Sequence, residues 1–211
     1  MDSSRKTYPH VGRKEHPVDG AFWEQSYQKG ETFWDHGAPS PGLVDFLAQE
    51  NYTPGSVLVV GCGRGHDCVE LARHGFDVTG MDISRSGVKE AKRLAQAGGA
   101  RIQYVIGDCL KLPRKKLDTF DWVFEHTCFC AIDPELRPKY VDSVGAALKP
   151  RGLLLGIFYN IQPESGPPFG TTREELIERF SPRFRLLVEK VPRSFPNREG
   201  KELLMLWERI A

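Results

Sequence analysis

The chain has 211 residues, 40% of them hydrophobic, and its 29 basic and 28 acidic side chains leave a net charge of +1. That length suits one full domain and is short for two, and the balanced charge excludes a global field that would gather nucleic acid or an anionic membrane. No run approaches membrane-spanning length, and the first twenty residues carry charges and prolines where a secretory signal needs an apolar core. A cytoplasmic protein, most simply a monomer, is expected, with its five cysteines reduced.

In chain order, residues 1–20 read as a flexible tail. Its cations Arg5, Lys6, Arg13 and Lys14 are diluted by Asp2 and Glu15, a solvated arm rather than a nucleic-acid grip. Residues 21–211 read as one domain, opening with an aromatic segment over about 21–50. From residue 55 short apolar runs alternate with helical stretches. "SVLVVG" is a buried strand, "HDCVELARHG" a helix closed by Gly75, "FDVTGMD" a second strand, and "SRSGVKEAKRLAQAGG" a helix capped by Ser84. "RIQYVIGD" and "FDWVFEH" are strands, "PELRPKYVDSVGAALKP" a helix and "GLLLGIFYN" a fifth strand. Such alternation predicts a doubly wound α/β domain with a parallel sheet. After the loop "QPESGPPFG" come a short helix, "TTREELIERF", and two β segments, "FRLLVEKV" and "ELLMLWERI", joined by "PRSFPNREGK". These predict an antiparallel pair at one edge.

Ligands of open α/β sheets bind beyond the carboxyl ends of the strands, closest to the first strand-to-helix turn. Gly61, Gly63 and Gly65 occupy that turn, where missing Cβ atoms let backbone N–H groups reach a ligand. The spacing is G-x-G-x-G. The dinucleotide fingerprint needs glycine at position 66, which is His66, and no Lys-Ser or Lys-Thr pair follows to hold a triphosphate. Asp82 ends the second strand, where a carboxylate meets ribose hydroxyls, and Asp108 ends the third, where an acceptor meets an adenine amino group. An adenosine without pyrophosphate fits, and S-adenosylmethionine meets that description.

"HTCFC" would place His126, Cys128 and Cys130 on one face if extended, a three-ligand pattern. No second Cys or His pair at ligand spacing accompanies it, and buried cysteine is a common small hydrophobe, so no metal is expected.

Beyond the glycine turn, "FWEQSYQKGETFWDHGAPSPGLVDFL", "GMDIS", "FCAIDPELRPKYVDSVGAALKPRG", "FYNIQPESGPPFG" and "PNREGKEL" resemble the thiopurine methyltransferase superfamily from about Phe22 to the C-terminus. The "FWDHG" stretch is similar to its thiol and halide methyltransferase branch. The resemblance implies a class I methyltransferase (Rossmann-like) fold, mostly parallel with a C-terminal antiparallel hairpin. It also implies S-adenosylmethionine as cofactor and S-adenosylhomocysteine as product. By the same resemblance Trp23, Tyr27 and Trp34 lie on an N-terminal lid over the cofactor, and Gly61, Asp82, Asp108 and Cys109 match further cofactor-binding positions. His126 stands where relatives tend to carry tyrosine, and Tyr27 where they carry tryptophan.

The expected reaction is direct in-line methyl transfer to a small soft nucleophile, a thiol, hydrosulfide or halide, which a dry and aligned pocket favours without a strong base. Tyr159, at the end of the fifth strand, is the first candidate to hydrogen-bond the incoming anion. His126, at the end of the fourth, either stabilises a thiolate or takes the proton from a thiol. The alternatives are a thiopurine-like enzyme with a wider mouth around Phe169, selenium or tellurium detoxification, methylation of RNA or protein, and a non-catalytic S-adenosylmethionine sensor.

Overall fold

Val57, Leu58, Val59 and Val60 are all buried, the pattern of a strand covered on both faces. In the computed structural model, which describes residues 18–49, 51–112, 116–163 and 165–210, they form β1 (Ser56–Val60). The expected tail, with its four cations, lies outside the described residues apart from positions 18–20. The other strands are β2 (Asp77–Asp82), β3 (Gln103–Ile106), β4 (Phe120–His126), β5 (Leu148–Tyr159), β6 (Phe184–Lys190) and β7 (Glu202–Arg209). They form one seven-stranded sheet in the order β3-β2-β1-β4-β5-β7-β6. The first five strands pair in parallel, while β7 runs antiparallel to both β5 and β6. The C-terminal pair is thus the expected hairpin, with β6 outermost.

The helices are α1 (Gly20–Lys29), α2 (Pro41–Gln49), α3 (His66–Arg73), α4 (Arg85–Ala97), α5 (Arg137–Ala147) and α6 (Arg173–Phe180). Leu58, Val60, Val123, Leu154 and Phe158 turn to one face and pack with Tyr140, Val144, Leu176 and Phe180 of α5 and α6. Val57, Val59, Phe124, Leu155 and Ile157 turn to the other and pack with Leu43, Phe46, Cys68 and Leu71 of α2 and α3. Two cores of this kind are the period-2 consequence of a sheet wrapped on both sides.

Local chemistry sets the ends. Ser84 caps α4 by accepting the Gly87 N–H at 3.0 Å, and Thr172 caps α6 by accepting the Glu175 N–H at 3.2 Å. One boundary shifts. The helix expected to run through Pro150 stops at Ala147, because Leu148 already pairs with Phe120 and starts β5 early. Ahead of α5, residues Pro134–Leu136 form a 3-10 turn rather than α-helix, Asp133 accepting the Glu135 N–H.

Candidate active site

The chain moves outward from β1 through β2 to β3 in one direction and from β4 to β5 in the other. The C-terminal ends of β1 and β4 therefore flank the switch point, where open α/β sheets bind ligands. A cavity of about 820 Å³ lies there. Trp23, Tyr27, Trp34, Gly61, Gly63, Gly65, Asp82, Asp108, Cys109, His126 and Tyr159 all line it.

The glycine turn is built as the spacing predicts, with φ of +59°, +53° and +80° at Gly61, Gly63 and Gly65. Gly61 has a second constraint: a Cβ there would stand 2.7 Å from Cys128 Sγ. The β1 turn and the loop after β4 pack so closely that only hydrogen fits between them. Asp82 is buried and accepts the N–H groups of Gly63 and Ser84, both at 2.8 Å. Burial raises its pKa against the pull of those bonds. Each carboxylate oxygen has a second lone pair, so this clamp on the turn leaves acceptor capacity at the cavity.

The N-terminal segment is fastened to α4 and the glycine turn through charge. Glu24 accepts the Ser84 hydroxyl at 2.7 Å, the Ser86 N–H at 3.0 Å and the Ser86 hydroxyl at 2.7 Å. These bonds, led by the Ser86 hydroxyl, lower its pKa to about 2. Arg64, within the glycine turn, pairs with both Asp35 and Glu90. The aromatic side chains interlock edge to face, Trp23 on Trp34 at 5.2 Å and Tyr27 on Trp34 at 5.7 Å. Tyr27 is a wedge as well as a wall, since its ring and hydroxyl fill the space that Cβ atoms at Gly87 and Gly63 would take.

At the end of β4 and the start of β7 lies a largely buried charge cluster. His126 Nδ1 is 3.2 Å from Asp67 Oδ2, and its Nε2 is 3.4 Å from Glu202 Oε1. Burial opposes a charged ring here, but the two carboxylates outweigh it and push the pKa up to about 9. Arg198, buried, donates to Glu202 Oε1 at 3.3 Å and to the Trp34 carbonyl at 3.2 Å. Its guanidinium carbon stands 5.1 Å from the Tyr159 ring centroid. His36 completes this wall, stacked on Phe195 with centroids 4.0 Å apart. Burial, then the charges of Arg198 and His126, hold the His36 pKa below its usual value.

The "HTCFC" segment is not extended. It turns into a 3-10 helix at Phe129–Ala131, pinned by Glu125, which accepts the Cys128 and Phe129 N–H groups at 2.9 and 2.8 Å. Cys128 and Cys130 are thiols whose pKa values are raised, the first by its hydrogen bond to Cys109 and the second by burial, to about 12. Among the described residues no group of three or more His, Cys, Asp or Glu is arranged to hold a metal ion. Nor is any described helix long and apolar enough to cross a membrane.

The family model for thiopurine S-methyltransferase matches residues 18–202. The chain belongs to that family. Relatives within it include thiocyanate methyltransferase 1 of Arabidopsis thaliana, 33% identical over 92% of this chain and 86% of the relative, and its Brassica oleracea counterpart, 34% identical over 92% and 87%. The thiopurine S-methyltransferase of Shewanella loihica is 26% identical over 79% and 84%. In fold, the chain matches the 1,6-didemethyltoxoflavin N1-methyltransferase of Burkholderia thailandensis with a TM-score of 0.75, at 23% identity over 96% of this chain and 94% of that one. The expected class I methyltransferase architecture is therefore the observed one.

As a family member the chain is an S-adenosylmethionine-dependent methyltransferase acting on a small molecule. The site fits that cofactor by its own chemistry: a left-handed glycine turn open to the cavity, carboxylates at the ends of β2 and β3, and an aromatic lid able to face a sulfonium.

Sequence reasoning passed over Glu24, His36, Asp67, Arg198 and Glu202. Arg198 and Glu202 lie in "PNREGKEL", a stretch recognised as familial without a role for any of its residues. The available signal was an Arg and a Glu four apart at the entry to a strand that continues with the apolar run Leu203–Trp207.

Proposed function

We propose that this family member methylates a small soft anion or thiol, of the class that includes thiocyanate, hydrosulfide, alkyl thiols and halides. The observation that carries the reading is the pairing of His126, largely buried, with the buried Arg198 at one wall of the cavity. The thiocyanate methyltransferase relatives favour it over the thiopurine alternative. The thiopurine-like alternative requires a wide mouth around Phe169, and there the Phe169 N–H bonds the Cys130 carbonyl at 2.6 Å while Pro167 and Pro168 line the cavity. Five free cysteines accord with a reducing cytoplasm.

In this reading the cofactor, when bound, supplies an electrophilic methyl group on a sulfonium. Gly61 and Gly63 would present backbone to it, and Asp82 would meet the ribose and Asp108 the adenine, with Cys109 beside it. Trp23, Tyr27 and Trp34 would cover the sulfonium and exclude water, which raises the reactivity of an anion otherwise hydrated. His126, with a carboxylate at each ring nitrogen, serves as a fixed imidazolium and not as a base. Arg198 adds a second positive charge. The two attract and align the acceptor, while Asp67 and Glu202 keep the empty cluster near neutral. Tyr159, its ring beneath the Arg198 guanidinium, lines the same cavity.

The test is headspace gas chromatography of purified protein with S-adenosylmethionine and, separately, thiocyanate, hydrosulfide, methanethiol, iodide and an aromatic thiol, with S-adenosylhomocysteine release followed in parallel. Methylated product from the small acceptors at higher kcat/KM than from the aromatic thiol is expected. Turnover of the aromatic thiol alone would return the assignment to the thiopurine-like alternative.

A further inference from the structure

The acceptor side of the cavity holds one more titratable group with a distinct status. His36 follows Trp34 and Asp35 in the lid, its ring is stacked on Phe195, and among the described residues its Nε2 is buried without a hydrogen-bond partner. A buried polar nitrogen without a partner costs on the order of 1–3 kcal/mol. His36 is among the residues that line the cavity, and a buried ring nitrogen without a partner gains one when a substrate S–H is brought against it.

Two kinds of acceptor pose different problems. Iodide and thiocyanate arrive ionised. An alkyl thiol, with an ordinary pKa near that of a cysteine at about 8.5 or above, arrives mostly as S–H and must lose its proton inside a cavity that excludes water. The cavity offers few takers. His126 has a carboxylate at each ring nitrogen, which raises its pKa to about 9, and its Nε2 also has Arg198 Nη1 at 3.4 Å, so neither nitrogen is free to take a proton from a substrate. Glu202 and Asp67 are engaged with that ring, and Glu202 has its pKa lowered. Cys128 and Cys130 are themselves raised thiols. His66 also lines the cavity, but its Nε2 stands 3.4 Å from Asp35 Oδ1, so among the described imidazoles of the cavity His36 is the one with a buried, unpartnered ring nitrogen. Burial, then the charges of Arg198 and His126, lower its pKa against the opposing pull of Asp35 and Glu202.

We propose that His36 is the general base for thiol acceptors, its Nε2 taking the S–H proton while Arg198 and His126 hold the emerging thiolate. This rests on the small-soft-acceptor reading above. The balance is simple. The S–H bond breaks and its proton goes to Nε2. The thiolate lone pair forms the new S–CH3 bond as the bond from that methyl carbon to the donor sulfur breaks, leaving its electron pair on that sulfur. The imidazolium then returns its proton to solvent when the product leaves. Two neighbouring histidines driven apart in pKa, one held charged and one held neutral, is the pattern by which sites divide acid and base roles. The same cations that make His36 a weak base also lower the pKa of a thiol beside them, so the transfer stays matched.

The test is a ratio. For wild type and His36→Gln, kcat/KM is measured at pH 7 for ethanethiol and for iodide, and for a series of aryl thiols of graded acidity. A general base contributes roughly 10²- to 10⁴-fold, so the ethanethiol-to-iodide ratio is expected to fall by about 100-fold or more in the variant, with the loss shrinking across the series as the thiols become ionised. A ratio is insensitive to the fraction of variant that folds. In the variant, thiol turnover should also climb with pH toward the thiol's own ionisation, whereas wild type should level off below it. An unchanged ratio, with both acceptors losing equally or neither losing, overturns the assignment. Wild-type turnover of iodide without ethanethiol overturns it while sparing the parent reading, and turnover of neither overturns both.

Discussion

His126 closes β4 and Glu202 opens β7, and across the cavity wall their Nε2 and Oε1 stand 3.4 Å apart. Glu202 is fully buried, and its contacting oxygen is shared between His126 and Arg198. A carboxylate in that position holds two cations at once.

Replacing Glu202 with Gln should therefore lower the His126 pKa from about 9 by roughly one to two units, the usual effect of one adjacent opposite charge. Because the folded value lies above the unfolded one near 6.5, the stability His126 contributes is complete below pH 6.5 and is lost as pH rises through about 9. In Glu202→Gln that loss moves to lower pH, and kcat/KM for thiocyanate should begin its alkaline fall earlier. Ring-proton NMR titration of His126 beside the pH–rate profile checks both. An unshifted titration would mean that Asp67 alone sets the charge.

Arg198 reaches the lid through the Trp34 carbonyl and the sheet through Glu202, a span that suits a planar fork and not a point charge. Arg198→Lys keeps the charge but loses one of those anchors. The expected result is a KM for anionic acceptors raised about tenfold with kcat falling less, the mark of lost binding rather than lost transition-state contact. The S-adenosylmethionine KM should stay within about threefold. Steady-state kinetics varying each substrate in turn distinguishes this from a general collapse of the site, which would raise both.

Glu24 fastens the lid to the start of α4 by three bonds. Its pKa, lowered to about 2, means that this contribution is complete above the ordinary carboxylate range and is lost only as pH falls through about 2. Glu24→Gln removes the charge from those bonds at every working pH. Affinity for S-adenosylhomocysteine should drop several-fold, where tenfold corresponds to about 1.4 kcal/mol, and Trp23 and Trp34 should report a looser lid by fluorescence. Calorimetric titration measures the first, and an unchanged Kd would assign the latch to folding alone.

The parts visible in the sequence were those encoded locally. Strand and helix periods, the Ser84 cap and the Gly61, Gly63 and Gly65 turn each depend on neighbours a few positions away, and all appear in the structure. Asp82 and Asp108 followed because strand ends converge in a parallel sheet. The charge cluster was not visible for the opposite reason. Asp67, His126, Arg198 and Glu202 come from α3, β4, the hairpin connection and β7, and the His126 contact to Glu202 spans 76 positions. No local pattern marks such a meeting. His126 was found, but its choice between base and cation depended on two carboxylates that only the fold brings to it. The early start of β5 was hidden likewise, because it depends on Phe120 lying beside Leu148.

Glu125 offers a test of the loop that floors the acceptor side. It is fully buried, one oxygen accepts two loop N–H groups, and among the described residues the other has no partner. Burial raises its pKa to about 7, against the opposing pull of the Phe129 N–H and the His126 charge. A carboxyl whose folded pKa exceeds its unfolded value binds its proton more tightly in the native state, so stability falls as pH rises from about 4.5 to about 7. Glu125→Gln keeps an oxygen for the two N–H groups and removes the ionisation. The variant should lack that fall, so its stability relative to wild type should rise between pH 5 and pH 8 by about 1–3 kcal/mol, discounting the full shift at 1.36 kcal/mol per unit. Urea unfolding of both proteins at the two pH values gives the difference directly, and groups common to both cancel. Parallel pH dependences would show that Glu125 stays ionised throughout, held by charge from His126 rather than by the loop.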